Sequence, residues 1–262
     1  MTRRLAGYFL GRRDYRSCLT LQEELHAARS AGSVGDTVLF VEHPAVITLG
    51  RGGHAEHLLA SSAQLKELGV DVVETGRGGD ITLHAPRQLV CYPILDLGPD
   101  RKDVRRYVRD LTEVMRQVVA EHGVESGRID QHIGLWANRD SAGKFRGAES
   151  ERDLVKLGAV GVRISRWITM HGFALNLQPD MRLFSLIVPC GIREYGVASL
   201  AELMDGPAPG VEQAARSAFA ALTRVLDADD AASTWSIGDP LNFSDTGRAA
   251  AQHQRDARLS EP

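Results

Sequence analysis

Strand-type and helix-type segments alternate along this chain as far as position 226. That alternation predicts an α/β (α+β) domain built on a mixed β-sheet flanked by helices. Asp14 is placed to cap a helix through Leu21, Leu25 and Ala28 that stops at Gly32. β-rich runs follow at 37–42 and 46–49, broken by His43-Pro44, then a short helix at 62–68 ended by Gly69 and a strand at 70–74. The apolar stretch 89–97 (LVCYPILDL) reads as a strand buried on both faces, although Pro93 cannot donate to a central ladder. The strongest helix signal spans 104–121, where Val104, Tyr107, Val108, Leu111, Met115, Val118 and Val119 form one stripe, and Gly123 ends it. Residues 156–164 and 167–177 read as adjacent strands, and 211–226 as a final helix.

Composition narrows the class. The 262 residues carry 31 Lys and Arg against 34 Asp and Glu, a net charge of −3, which gives no drive toward a polyanion and argues against nucleic-acid binding. A hydrophobic content of 43% supplies a large core. The apolar run 5–10 is too short for a secretory signal, and nothing approaches the roughly 18 apolar residues of a spanning helix. Three widely spaced cysteines (Cys18, Cys91, Cys190) fit neither a disulfide framework nor a thiolate zinc site, so a reducing, cytoplasmic setting without membrane attachment is expected. One catalytic domain over 1–227 is predicted, followed by a polar, mobile tail over 228–262 pinned at Trp235; residues 138–153 read as a surface loop.

Four places carry candidate chemistry. Arg77, Gly78, Gly79, Asp80, Ile81, Thr82, Leu83 and His84 combine a glycine pair, which permits close backbone approach, with a strand edge; a tight hairpin turn explains them as simply. The related run Arg51-Gly52-Gly53 is equally ambiguous. Cys190, between Pro189 and Gly191, sits at a rigid turn that can present a thiol, whereas a lone cysteine is more often a small buried hydrophobe. Cys91 reads as core and Cys18 as inert. A thiol needs a base. Lys156, the one amine in an apolar run, is a candidate because an amine withdrawn from water gives up its proton more readily; an edge-strand lysine guarding against aggregation is the plain alternative, and His171 is a competing base. His54 and His57 lack partners for a metal set, and no phosphate-binding loop motif occurs, so neither metal nor cofactor is expected.

The strings RGGDITLH at Arg77, KLGAVGVRI at Lys156, HGFALNL at His171 and PCGI at Pro189 resemble, in order and spacing, the signatures of the lipoyl(octanoyl) transferase family over residues 5–205. The resemblance implies a fold like the catalytic domains of lipoate and biotin protein ligases. It also implies transfer of an octanoyl group from octanoyl-acyl carrier protein, through an enzyme thioester, to a lysine of lipoyl domains of 2-oxoacid dehydrogenase complexes or of the glycine cleavage H protein. By the same resemblance Cys190 is the acyl-accepting thiol, and Lys156 the residue that tunes it. The run from Arg77 to His84, with Ala159, Val160, Gly161, Gly172, Phe173 and Ala174, is implied to bind substrate. Arg87 stands where the family usually has glycine. Three rivals remain: an ATP-dependent lipoate or biotin ligase, a non-catalytic binder of lipoyl domains or acyl carriers, and a thioesterase.

Overall fold

The computed structural model describes residues 2–147 and 153–241. In chain order the regular elements are β1 (Leu5–Arg12), α1 (Tyr15–Ser30), β2 (Asp36–Glu42), β3 (Val46–Leu49), α2 (Ser62–Leu68), β4 (Asp71–Glu74), β5 (Ile81–His84), β6 (Gln88–Ile94), α3 (Val104–Ala120), β7 (Ser126–Gly127), β8 (Leu135–Asn138), β9 (Leu154–Ser165), β10 (Ile168–Asn176), β11 (Gly196–Val197), α4 (Leu200–Leu203), α5 (Val211–Val225) and β12 (Thr234–Ile237). The main sheet runs β12-β1-β2-β6-β10-β9-β8-β7, with β11 pairing β9 from outside this path; a small sheet runs β4-β3-β5. The main sheet is mixed: β1 is parallel to β2 and β12, whereas β6, β10 and β9 pair antiparallel.

Local chemistry sets the element ends. The Asp14 carboxylate accepts from Ser17 N at the start of α1, and Asp103 caps α3 by accepting from Arg106 N. The apolar stripe of α3 buries Tyr107, Leu111, Val114, Met115, Val118 and Val119 in one core with α5 and one face of the main sheet. The core with α1 covers the other face through Cys18, Leu21, Leu25, Val90 and Tyr92. No helix among the described residues is long and apolar enough to cross a membrane.

Pro93 lies inside β6, a central strand, and the register explains how. The β10 ladder on β6 spans Phe173↔Cys91 to Asn176↔Gln88 and stops short of Pro93. Past that point Thr169 takes over: its Oγ1 donates to Pro93 O at 2.7 Å and accepts from Leu95 N at 2.9 Å. The missing N–H therefore leaves no orphan in the ladder.

The boundary expected at 227/228 is displaced. Thr234–Ile237 pairs with β1 over Ala6↔Thr234 to Phe9↔Ile237, so residues just past 227 belong to the sheet edge. Trp235 holds this strand by packing at a tilt against Phe40 and Phe219, with ring centroids 5.4 and 5.5 Å away. Three aromatic rings bury more area than the polar composition around them suggests. Residues 242–262, which complete the expected tail, lie outside the described residues, as do 148–152 of the expected 138–153 loop. The start of that loop is structured: Asn138 ends β8, and its Oδ1 accepts from Arg146 N.

Candidate active site

Residues 189–191 form a single tight turn with Pro189 at its first position, which fixes the backbone entering Cys190. Cys190 itself adopts φ 57°, ψ 19°, and Gly191 follows at φ 70°. A non-glycine residue in this left-handed region costs about 1 kcal/mol or more and persists where its surroundings hold it. Here Val188 N donates to His57 O at 2.8 Å, and Gly191 N and Ile192 N close the turn on Val188 O and Pro189 O.

Lys156 comes to this turn from β9. Its Nζ donates to Cys190 Sγ at 3.2 Å. The side chain is only 6% exposed, and the ammonium end lies 5.4 Å from the centre of the Trp136 ring. Gly134 makes this path possible: at φ 141°, a β-carbon there would sit 2.6 Å from Lys156 Cε. The competing base reaches the same cavity as Lys156 and Cys190 but makes no hydrogen bond to the thiol. His171, at φ 58° on β10, lies opposite Val162, its N–H donates to Gln22 Oε1, and neither ring nitrogen has a partner among the described residues.

Both Lys156 and Cys190 line a cavity of about 450 Å³ where β5 and the loop before it meet β9 and β10. Arg77, Gly78, Gly79, Asp80, Thr82 and His84 all reach it, as do Ala159, Val160, Gly161, Gly172, Phe173 and Ala174. Ile81 and Leu83 do not. Strand alternation turns them into the core of the small sheet with Ile47 and Leu65, so the expectation that the whole run faces a ligand is corrected at these two positions. Apolar walls come from Val90, Val104, Val108 and Val162, none of which the sequence marks as a ligand contact.

The glycine pairs serve the frame first. Gly50 N donates to Asp80 O, Arg51 N to Arg77 O and Gly52 N to Gly79 O, so the two glycine-rich loops are hydrogen-bonded to each other. Gly78 N then docks the pair on β9 through Val162 O at 2.9 Å. Arg77, 7% exposed, braces the junction: Nε and Nη2 donate to Thr48 Oγ1, Nη2 also to Thr48 O, and Nη1 to Gly78 O. Burial pushes its pKa down. Gly172 has no room for a side chain because the Cys91 carbonyl and Pro93 Cδ of β6 fill the space.

Three histidines are held neutral by burial: His84 and His171, which line the cavity, and His43, whose ring packs against His84. His84 is lowered to about 3, with His43 adding to the effect, while its Nδ1 is hydrogen-bonded to Gln88 Oε1 at 2.8 Å. His43 is lowered to about 4, and its Nε2 lies 2.9 Å from the Tyr92 hydroxyl. His171 is lowered to about 3 by burial, then by Arg77 and Arg163. The other two thiols are unsuited to nucleophilic work: burial pushes Cys18 up to about 12 and Cys91 well above the ordinary thiol value. No group of three metal-ligating side chains occurs among the described residues.

A further pair escaped sequence reading. His57 Nδ1 lies 2.5 Å from Asp80 Oδ2, and both press on Gly191. The sequence signal for His57 is its position just after Arg51-Gly52-Gly53, a run whose partner loop at 77–80 is set only by tertiary structure.

Residues 14–223 match the model of the lipoyl protein ligase A/B catalytic domain. An octanoyltransferase of Myxococcus xanthus is 45% identical over 214 residues, 81% of this chain and 57% of that protein. One of Solibacter usitatus is 46% identical over 194 residues, covering 74% and 81%. One of Chloroflexus aggregans is 42% identical over 226 residues, covering 86% and 96%. Among solved structures, lipoate-protein ligase A bound with ATP superposes with a TM-score of 0.64 at 14% identity, covering 87% of each chain. A bipartite lipoate protein ligase of Thermoplasma acidophilum gives 0.64 at 15%, covering 87% and 85%. At those identities the likeness is one of fold.

Proposed function

We propose, for a chain that belongs to the lipoyl protein ligase A/B catalytic family, a two-stage octanoyl transfer in which Cys190 carries the acyl group and Lys156 moves the proton. Relatives covering most of the chain place it among the enzymes that transfer octanoyl groups in protein lipoylation. The single observation that carries the residue assignment is the 3.2 Å contact between Lys156 Nζ and Cys190 Sγ in the wall of the cavity.

In the first stage Lys156 takes the proton of Cys190. The thiolate attacks the octanoyl thioester of an acyl carrier protein, the carbonyl–sulfur bond to the carrier breaks, and Lys156 returns the proton to the departing carrier thiol. In the second stage a lysine of a lipoyl domain attacks the enzyme thioester, and the octanoyl group leaves as an amide. One thioester replaces another in the first stage and an amide replaces a thioester in the second, so no nucleotide is consumed. Val90, Val104, Val108, Val160 and Phe173 offer the eight-carbon chain an apolar wall, each buried methylene contributing about 0.8 kcal/mol. The N–H of Gly79, which makes no hydrogen bond among the described residues, is the candidate oxyanion donor, a role typically worth about 3 kcal/mol.

The test is an intact-mass measurement after incubation with octanoyl carrier protein. One added octanoyl group is expected, absent from Cys190→Ser. Modification of a lipoyl domain by free octanoate and ATP alone would instead make the chain a ligase. Release of octanoate without an acceptor would make it a thioesterase, and complex formation with no adduct would make it a binder.

A further inference from the structure

Proton bookkeeping leaves one proton without a destination in this scheme. The acceptor lysine arrives as an ammonium. When its nitrogen bonds to the octanoyl carbonyl and the carbonyl–sulfur bond breaks, the nitrogen must shed two protons to become a neutral amide. One returns to the Cys190 sulfur by way of Lys156, which left the first stage as a neutral amine. The second needs another acceptor, and a lysine that has just taken one proton cannot take both.

The geometry points to the Asp80–His57 pair. Asp80 lines the same cavity as Cys190 and Lys156. Its Oδ2 holds His57 Nδ1 at 2.5 Å, and its Oδ1 accepts from His54 N at 3.0 Å. A β-carbon built on Gly191 would lie 2.7 Å from Asp80 Oδ2 and 2.9 Å from His57 Cε1, so carboxylate and imidazole stand directly against the residue that follows the thiol. The neighbouring cation does not occupy them: Arg77 spends its guanidinium on Thr48 and Gly78. Both side chains keep some contact with solvent, 16% for His57 and 12% for Asp80, which gives the proton an exit.

We infer that Asp80 receives the ε-ammonium of the acceptor lysine beside Cys190 and that the Asp80–His57 pair takes its extra proton. The assignment rests on the proposed thioester route. The carboxylate draws the ammonium out of water beside the thioester carbonyl; the pair takes one proton from it, and the neutral amine that results attacks the carbonyl. The pair passes from carboxylate and neutral imidazole to carboxylate and imidazolium, and the proton then leaves to water. Lys156 serves the sulfur, and Asp80 with His57 serves the nitrogen. Asp80 is thus the residue that selects a charged amine as acceptor.

Discharge of a preformed octanoyl-enzyme tests this. The enzyme is first loaded with octanoyl carrier protein, then mixed with a lipoyl domain or with hydroxylamine, a nucleophile that is uncharged near neutral pH and has no second proton to shed before attack. In Asp80→Asn and His57→Gln, discharge to the lipoyl domain is expected to slow at least about tenfold relative to discharge by hydroxylamine. Equal slowing toward both nucleophiles would overturn the inference, since it would mean that the pair only shapes the Cys190 turn. Unchanged discharge to the lipoyl domain would overturn it too. Failure of the wild-type enzyme to load at all would sink the underlying thioester route as well, and that failure is visible before any variant is compared.

Discussion

A β-carbon on Gly134 would stand 2.6 Å from Lys156 Cε and 2.5 Å from the carbonyl oxygen of Gly158. The first contact is with a side chain that can swing aside only by leaving Cys190, and the second is with strand backbone that does not yield. The glycine on β8's approach thus sets where the lysine of β9 ends.

Gly134→Ala is therefore expected to part the amine from the sulfur. The residue is at φ 141°, so strain adds about 1–3 kcal/mol of lost stability. Acylation of Cys190 should fall at least about tenfold. Intact-mass kinetics beside a thermal melt would check both; a well-folded variant that acylates at the wild-type rate would contradict the role given to Gly134.

Lys156→Ala is expected to slow acylation by roughly 100-fold. Lys156→Met is the companion variant, since it keeps an unbranched apolar stem while removing the amine that lies over Trp136. Equal loss in both variants assigns the defect to the amine. Recovery in the methionine variant would assign it to packing and remove Lys156 from proton transfer.

Gly172→Ala should act on folding rather than on the pocket. The added methyl meets the Cys91 carbonyl and Pro93 Cδ across the β10–β6 interface, a region of fully buried strand. Overpacking of this kind typically costs about 1–3 kcal/mol and more against backbone. Chemical denaturation would measure it; an unaltered midpoint would show that the strands part more easily than their register indicates.

Acid should weaken the fold before most carboxylates titrate. His43, His84 and His171 are lowered to about 4, about 3 and about 3 from 6.5, in each case first by burial. The unfolded chain therefore binds these protons first as pH falls. Their contribution is whole above pH 6.5 and drains away toward pH 4 and 3, at up to about 1.4 kcal/mol per histidine per pH unit. Urea unfolding at pH 7, 6 and 5 should show a steep loss, and His84→Gln should reduce its slope by about one proton. A flat profile between pH 7 and 5 would mean that these rings reach water.

Much of this protein is written locally. The stripe on α3, the cap at Asp14 and the β-branched runs of β9 and β10 depend on neighbours a few residues away, so periodicity and capping rules find them. The thiol and amine were visible as candidates for the same reason: a cysteine between proline and glycine, and a lysine inside an apolar run, are anomalies in their immediate context. What chain order could not disclose is contact. Thirty-four positions separate Lys156 from Cys190, and choosing that lysine over His171 from the residues alone required knowing which strand ends beside the turn. The union of the two glycine-rich loops, the Asp80–His57 pair and the added strand holding Trp235 are likewise long-range pairings. Side-chain chemistry is carried by each residue, but distance and burial arise only when separate segments share one interior, and those decide which thiol, which amine and which carboxylate meet.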